Sequence, residues 1–332
     1  MILAGGGFPP DVRGLRTADI GGTFSLPRSI VRVAARHPLI AYAELHGVAG
    51  HRMVGEIFGR ANRALVGPLL ELARRERPDL IVYESLSEAG AIVAGRLSIP
   101  SVLQENTLWR ATDLFRAVVS SAALAGWQIP APALTIAVTP PSLRPPPPGA
   151  ILMRPVPFSG GGVVPSWLRA PGRRPRVVVS RSTLDGPNDG DPGPAVIAAA
   201  GRVDAEFVLV RPARVRRLPS NVRVVGRVPL SEVLPYAAAF VHHAGAGSVL
   251  GGLAAGLPQL VTPGAGDRRH NAEMLAARGA GRSVAAKAIT EADLTRLLTD
   301  EALRGAAREV AAEIAAMPAP AEVVPALAKL AT

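Results

Sequence analysis

Residues 239–262 read AFVHHAGAGSVLGGLAAGLPQLVT, and this stretch decides the fold class. It opens with a short β-branched and aromatic run, Ala239–His242, and closes with a second apolar run at 258–262. The Ala- and Leu-rich residues between them, 248–256, have the length of a helix. A strand, a helix and a second strand in this order predict a parallel strand pair joined by a crossover helix.

The same alternation extends through the second half of the chain. Three further runs have the composition of buried strands, namely Arg176–Ser180, Glu206–Val210 and Val222–Val225. Ala- and Leu-rich stretches of helical length lie at 193–201 and 269–278. Strands that are apolar on both faces and alternate with helices indicate an α/β protein whose parallel sheet is covered on both sides. In such a sheet, ligands bind at the carboxyl ends of the strands.

The first half of the chain repeats this pattern less completely. A long amphipathic helix is predicted over 50–77, and Pro68 should kink it or split it in two. Strands are predicted at 80–83 and 99–103, with a helix at 87–97 between them. Because 332 residues are more than one hydrophobic core usually supports, we expect two domains.

The boundary between these domains is expected near residue 165. Residues 140–149 include four consecutive prolines, which cannot donate backbone hydrogen bonds to a helix or a sheet. The connection 155–175 is rich in Gly and Pro as well. We therefore assign residues 1–165 to an N-terminal domain with its linker and residues 166–332 to a C-terminal domain.

The composition excludes several classes of protein. The chain has no Cys, so it has no disulfide, no Cys-ligated metal and no Cys nucleophile. The formal net charge is +11, but nearly all the basic residues are Arg, and they are scattered without aromatic residues between them. We therefore expect no nucleic-acid partner. The sequence shows neither a signal peptide nor an apolar run of membrane-spanning length, so a cytoplasmic protein without a membrane span is expected.

The loop after the strand Ala239–His242 carries donors suited to an anion. Small residues at 244–247 let the backbone approach a ligand closely, and Ser248 is expected to cap the helix that follows. Helix-start amides, a hydroxyl and an imidazole together suit a phosphate. The predicted phosphate site comprises His243, Gly245, Gly247 and Ser248. His242, at the strand end, is expected to be a packed or solvated side chain.

A second loop follows the next strand and should open at the same edge of the sheet. Asp267 accepts hydrogen bonds and Arg268 donates them, a pair suited to adjacent hydroxyl groups. Asp267 is also suited to cap the helix 269–278, which is compatible with ligand binding. The pair Asp189 and Asp191 lies in a Gly- and Pro-rich loop typical of a solvated turn, so we expect no metal site.

Taken together, these segments resemble a known family. The motifs are His243-x-Gly-x-Gly-Ser248, Gly256-Leu-Pro258 and Pro263-x-x-x-Asp267-x-x-x-Asn271-Ala272, supported by residues 77–83, 153–162 and 221–229. They are similar to those of the nucleotide-sugar-dependent glycosyltransferases of the GT-B fold. More narrowly, the chain resembles the bacterial family-1 enzymes that glycosylate macrolide, enediyne and other polyketide-type natural products. The resemblance implies two Rossmann-like domains whose parallel sheets face each other across a cleft.

The resemblance also implies an activity. The expected reaction is transfer of a sugar, with inversion, from a nucleotide diphosphate donor to a hydrophobic natural-product aglycone. The donor is expected to be a dTDP-deoxysugar, with UDP as the other nucleotide considered. The nucleotide sugar is a co-substrate, so no cofactor and no metal are expected. A homodimer is left open.

Residue roles are implied in the same way. His243 and the amides around Gly245, Gly247 and Ser248 would hold the donor diphosphate, and Ser182 and Thr183 would offer hydroxyls to it. Asp267 and Arg268 would bind sugar hydroxyls, and Val228 would meet the base through its backbone. Three positions depart from the family: residue 268 is usually Gln, residue 227 is commonly Trp but is Arg here, and Gly251 stands where plant relatives carry Glu.

The catalytic base is left open by the sequence. The resemblance aligns Met1 with the end of the family's second strand, so about one βα unit, on the order of 30 residues, is expected to be missing. That unit carries the His that serves as the family's base. Glu105 is a candidate substitute, and Asn106 and Trp109 are acceptor-side candidates.

Two other classes of function are alternatives to a transferase. A non-catalytic donor-binding or helper homologue that lacks the base stays open as an alternative. A nicotinamide-dependent oxidoreductase is disfavoured, because the glycines from Gly245 to Gly251 miss the dinucleotide-binding spacing by one residue.

Overall fold

The computed structural model describes residues 1–332 except 6–13, 22–24, 46–48, 159–161, 183–190, 213–216, 265 and 332. The chain forms two compact units. Unit 1 comprises Met1–Val138, Pro146–Met153 and Pro318–Thr332, and unit 2 comprises Thr139–Pro145 and Arg154–Met317. Residues 139–145 and 154–165, which the sequence-based boundary assigns to the N-terminal domain, thus belong to unit 2, and residues 318–332, assigned to the C-terminal domain, belong to unit 1.

Strands and helices alternate along most of the chain. The strands are β1 Ile2–Gly5, β2 Arg16–Asp19, β3 Ile81–Glu84, β4 Ser101–Gln104, β5 Leu134–Ala137, β6 Ile151–Leu152, β7 Arg176–Ser180, β8 Glu206–Val210, β9 Val222–Val225, β10 Ala239–His242, β11 Gln259–Val261 and β12 Gly281–Ser283. The helices are α1 Leu26–Arg36, α2 Pro38–Leu45, α3 Arg52–Glu76, α4 Ala89–Leu97, α5 Ala111–Val119, α6 Gly193–Ala200, α7 Leu230–Val233, α8 Ala246–Ala254, α9 Arg268–Ala277, α10 Glu291–Thr299, α11 Glu301–Ala316 and α12 Pro320–Leu330.

Unit 1 contains a four-stranded parallel sheet in the order β3-β4-β5-β6 and a separate parallel pair, β1-β2. Helix α12 returns from the end of the chain to this unit. Its Val323 is buried with Val102 of β4 and Ile136 of β5. The apolar face of the sheet is therefore completed by residues about two hundred positions away in sequence.

Helix α3 is continuous through Pro68, so of the two predicted outcomes, a kink or a split, the split is wrong. Proline lacks an N–H and leaves the carbonyl of the residue four positions earlier, Ala64, without its helical partner. Both Pro68 and Ala64 are exposed, so water can satisfy that carbonyl. The opposite face of α3 packs closely on α5. A Cβ added to Gly55 would lie 2.4 Å from the carbonyl oxygen of Ala117, so only glycine fits there.

Unit 2 is built on a six-stranded parallel sheet in the order β12-β11-β10-β7-β8-β9. Buried apolar side chains cover both faces of this sheet, as the uninterrupted apolar strands predict. The chain proceeds from β7 outward to β9, then crosses back so that β10 lies on the other side of β7. Such a switch point opens a crevice at the carboxyl ends of the two central strands. Both predicted loops begin at this edge of the sheet.

The predicted α/β class with parallel sheets is confirmed. In the described residues, no single helix is both long and apolar enough to cross a bilayer, although α11 and α12 would pass that test if counted together.

Candidate functional site

A buried histidine holds the connection between β10 and α8. His242 is fully buried, and its ring stacks on Phe240 with centroids 4.3 Å apart. The N–H of Ala244 donates to Nδ1 of His242 at 3.1 Å, so Nε2 carries the ring proton and donates to Oε1 of Gln259 at 2.7 Å. Burial lowers the pKa of His242 to about 3, with a smaller contribution from the charge of His243. Of the two sequence-based alternatives, the packed side chain is confirmed.

The start of helix α8 has no side-chain cap, since Gly245 precedes it. The amides of Ala246 and Gly247, the first two residues of the helix, have no intrahelical partner. The ring of His243 lies against Gly245, with Nε2 only 2.6 Å from where a Cβ would stand. Gly247 is exposed, and a Cβ there would meet nothing within 4 Å. An anion can therefore reach these amides beside an imidazole.

Ser248 does not cap helix α8, so that prediction is wrong. The helix begins at Ala246, which makes Ser248 its third residue, and the Ser248 N–H bonds to the carbonyl of Gly245 at 2.9 Å. The reason is the backbone of Ala244, whose φ of 63° turns the chain into the helix earlier than the Gly-rich sequence suggests. The contact of Ser248 with a phosphate stays a prediction.

Asn271 links the two predicted loops. Its fully buried Nδ2 donates to the carbonyl of Ala244 at 2.9 Å and to Oδ2 of Asp267 at 2.8 Å. Asp267 directly precedes α9, but its side chain bonds to Asn271 and makes no cap to the helix amides. Burial raises the pKa of Asp267, while the bond from Asn271 and the charge of Arg268 act in the opposite direction.

Arg268 and Ser182 are in direct contact. Arg268 is the first residue of α9 and only 9% exposed, and its Nη2 donates to Oγ of Ser182 at 2.7 Å. Ser182 lies two residues beyond β7 and is 2% exposed. Nη2 of Arg211, beyond β8, approaches the carbonyl of Ser182 at 3.5 Å. Thr183 lies outside the described residues, so its role stays a prediction.

The residues predicted to meet the nucleotide base lie just beyond β9. The side chain of Val228 is buried in the apolar core, so a ligand could contact this residue only through its backbone. Arg227 is exposed. A Cβ added to Gly251 would lie 3.7 Å from Leu234 and 3.8 Å from Pro157. The role of Val228 in base binding stays a prediction.

The acceptor-side candidates belong to unit 1. Glu105 is 1% exposed, and its Oε1 accepts the N–H at the start of α5 at 3.4 Å. This burial argues against Glu105 as a base, because an acceptor hydroxyl cannot reach a covered carboxylate. Asn106 is exposed and donates to Oε2 of Glu84. The ring of Trp109 meets that of His51 edge-on, with centroids 4.5 Å apart. These three roles stay predictions.

A buried carboxyl group in unit 1 was missed by sequence reasoning. Glu88 is fully buried before α4, and Nδ2 of Asn62 donates to its Oε2 at 3.0 Å. Burial raises the pKa of Glu88 to about 9, and the nearby charge of Glu84 adds to this effect. An Asn on the apolar face of helix α3 was the available signal.

Apart from Thr183, which lies outside the described residues, the predicted donor-side residues of unit 2 lie beyond the carboxyl ends of strands of one sheet. The sequence motif includes Asn271 but does not predict that this residue bridges the two loops. The available signal was its spacing of four residues from Asp267, which places both on one face of a helix. Within the described ranges, no three His, Asp or Glu residues cluster as a metal site would require. Asp189 lies outside those ranges, and metal independence stays a prediction.

Comparison with known proteins identifies the class of protein. The glycosyltransferase SnogD from Streptomyces nogalater matches with a TM-score of 0.78 and 30% identity, covering 96% of this chain and 87% of SnogD. The glycosyltransferase SsfS6 from Streptomyces sp. SF2575, complexed with thymidine diphosphate, matches with a TM-score of 0.81 and 28% identity, covering 99% of this chain and 91% of SsfS6. The chain has the GT-B glycosyltransferase fold.

Sequence comparison narrows the class to a family. Residues 41–182 match the N-terminal domain, and residues 194–330 the C-terminal domain, of the erythromycin biosynthesis protein CIII-like proteins. The elloramycin glycosyltransferase ElmGT of Streptomyces olivaceus is 40% identical over 276 residues, which are 78% of this chain and 71% of ElmGT. The chain belongs to this family of bacterial natural-product glycosyltransferases, and the predicted resemblance is confirmed.

Proposed function

We propose that this enzyme transfers a deoxysugar from a dTDP-sugar to a hydrophobic polyketide-type aglycone, with inversion at the anomeric carbon. The observation that carries the proposal is the start of α8, where uncapped amides and the ring of His243 meet an open approach over Gly247. The thymidine diphosphate complex of SsfS6 supports the choice of nucleotide.

The reaction requires charge stabilisation on the leaving group. The acceptor oxygen attacks the anomeric carbon as the bond from that carbon to the diphosphate breaks, and the acceptor proton passes to a base. Negative charge grows on the diphosphate, and preorganised donors stabilise it. His243 and the amides at Ala246 and Gly247 supply such donors from one helix start.

The remaining contacts follow from the chemistry of each group. The carboxylate of Asp267 accepts hydrogen bonds from sugar hydroxyls, and the backbone at Val228 meets the base. We assign no catalytic base among the described residues.

Calorimetric titration with dTDP and UDP tests the donor site. Gly247→Val places a branched side chain over the helix-start amides without a clash at Cβ, and we expect it to abolish binding of dTDP. Gly305→Val is the matched control, because Gly305 is also a helical glycine of unit 2 whose Cβ would meet nothing within 4 Å. If the unaltered chain binds neither nucleotide, the proposal fails.

A transfer assay tests the reaction itself. The chain is incubated with dTDP-deoxysugars and a panel of polyketide aglycones, and products are followed by mass spectrometry. NMR coupling constants of the product report the anomeric configuration, and retention of the donor configuration would contradict the proposed inversion. Binding of dTDP without transfer to any acceptor would favour the non-catalytic alternative.

A further inference from the structure

The path of the Arg268 side chain is set by the order of the strands. Arg268 follows β11, whereas its partner Ser182 follows β7, and β10 lies between these two strands. The hydrogen bond from Arg268 to Ser182 therefore joins segments that follow the strands on either side of β10, beyond the carboxyl end of that strand. That end is where the loop carrying His243 begins.

A hydrogen bond fixes the position of the Arg268 guanidinium group. Nη2 of Arg268 bonds to Oγ of Ser182 at 2.7 Å, and both residues are almost completely buried. The neighbouring carboxylate of Asp267 is held by Asn271 from the other direction at 2.8 Å. Asp267 and Arg268 are consecutive in sequence, yet their side chains are anchored to different parts of the site.

We infer that Arg268, positioned by Ser182, binds the diphosphate of the donor together with the start of α8, and that Asp267 alone of the pair Asp267 and Arg268 binds the sugar. The inference rests on the proposed function and revises the sequence-based expectation that both residues bind sugar hydroxyls. A guanidinium group offers several N–H donors in a plane, which suits phosphate oxygens better than a hydroxyl. Arg268 then stabilises the same oxygens that gain charge as the sugar leaves.

Calorimetric titration with thymidine, dTDP and a dTDP-sugar distinguishes binding of the diphosphate by Arg268 from binding of the sugar by Arg268. For Arg268→Gln, we expect dTDP and the dTDP-sugar to bind more weakly by the same factor, at least about tenfold, as for a lost charged hydrogen bond. Thymidine, which has no phosphate, should bind as it does to the unaltered chain. If R268Q binds dTDP normally and loses affinity only for the dTDP-sugar, Arg268 binds the sugar and the inference is wrong.

Three further variants complete the test. Arg269→Gln is the matched control, since Arg269 is the next residue of α9 and is exposed, and its affinities should not change. Asp267→Asn should show the opposite pattern to R268Q, with normal dTDP affinity and weaker binding of the dTDP-sugar. Should R268Q fail to fold, Arg268→Lys keeps the charge but not the planar fork, and it should weaken both phosphate ligands equally.

The failure of the inference is distinguishable from failure of the proposed function. If the unaltered chain binds neither dTDP nor UDP, the proposed function itself is refuted. If it binds dTDP and both Arg268 variants bind dTDP equally well, only the assignment of Arg268 is refuted.

Discussion

His242 gives the sharpest quantitative prediction. The residue is fully buried, and both ring nitrogens are engaged, by the N–H of Ala244 and by Oε1 of Gln259. A proton on Nδ1 would face an N–H donor and would need a new acceptor. We propose His242→Asn as the perturbation, because its Oδ1 can accept the Ala244 N–H while the side chain no longer titrates. The variant loses the bond to Gln259.

The magnitude follows from the pKa of His242, which burial lowers from 6.5 to about 3. Between these values the unfolded chain binds a proton at this position and the folded chain does not. Stability contributed by neutral His242 is therefore complete above pH 6.5 and is lost as the pH falls. Each pH unit in this window is worth about 1.4 kcal/mol, so between pH 7.5 and pH 4.5 the unaltered chain loses about 2.6 kcal/mol through His242.

Urea unfolding of unit 2 measures this loss. Trp167 belongs to unit 2, so its fluorescence reports that unit alone when Trp109 and Trp127 are replaced by Phe in both chains. The free energy of unfolding of the unaltered chain minus that of H242N should fall by about 2.6 kcal/mol from pH 7.5 to pH 4.5. Other titrating groups contribute to both chains and cancel. A difference that is independent of pH would refute the reasoning.

Three further substitutions test other parts of the structure. Burial raises the pKa of Glu88 to about 9, so between pH 5 and 8 the folded chain must keep a proton there that the unfolded chain releases. Glu88→Gln removes this cost, and the unfolding free energy of the variant minus that of the unaltered chain should grow by about 1.4 kcal/mol per pH unit in this range; a constant difference would contradict this. Asn271→Ala removes a hydrogen bond that favours the charged form of Asp267, so the pH below which affinity for the dTDP-sugar falls should be higher in the variant. The same pH dependence in both chains would contradict this. Arg176→Met should cost about 3–5 kcal/mol in urea unfolding, because it leaves three backbone carbonyls and Oε2 of Glu206 without their buried donor, and Glu206 keeps only its longer pair with the exposed Arg223; a cost below about 1 kcal/mol would contradict this.

The fold could be predicted from sequence where burial alone determines it. The strands β7, β8 and β10 have the bounds that their apolar runs indicate, because each is covered on both faces of the sheet. The edge strand β9 also has the indicated bounds, although its two middle residues are exposed. The first residues of helices were harder to predict from the sequence. The start of α8 depends on the left-handed backbone of Ala244, which no side-chain pattern reveals. The continuity of α3 depends on the exposure of Pro68, which requires knowing which face of the helix is outward.

The sequence predicted which residues belong to the candidate site, but it did not predict the contacts between them. Asp267 and Arg268 were expected to act as a pair because they are adjacent in sequence. Their actual partners are Asn271, four residues on, and Ser182, which is 86 positions away from Arg268. The strand order that brings Ser182 near Arg268 is a property of the whole sheet. Short sequence motifs identify the hydrogen-bond donors and acceptors, but they do not give the strand order that brings them together.

The return of α12 to unit 1 has a consequence during synthesis. Val102 and Ile136 emerge from the ribosome long before Val323, the residue buried with them. Between residue 153, the end of the earlier part of unit 1, and residue 320, the start of α12, lie about 167 residues, which take about 8 to 33 s to translate at typical rates. For that time, the nascent unit 1 presents an uncovered apolar sheet face, which is a binding site for a chaperone or a starting point for aggregation.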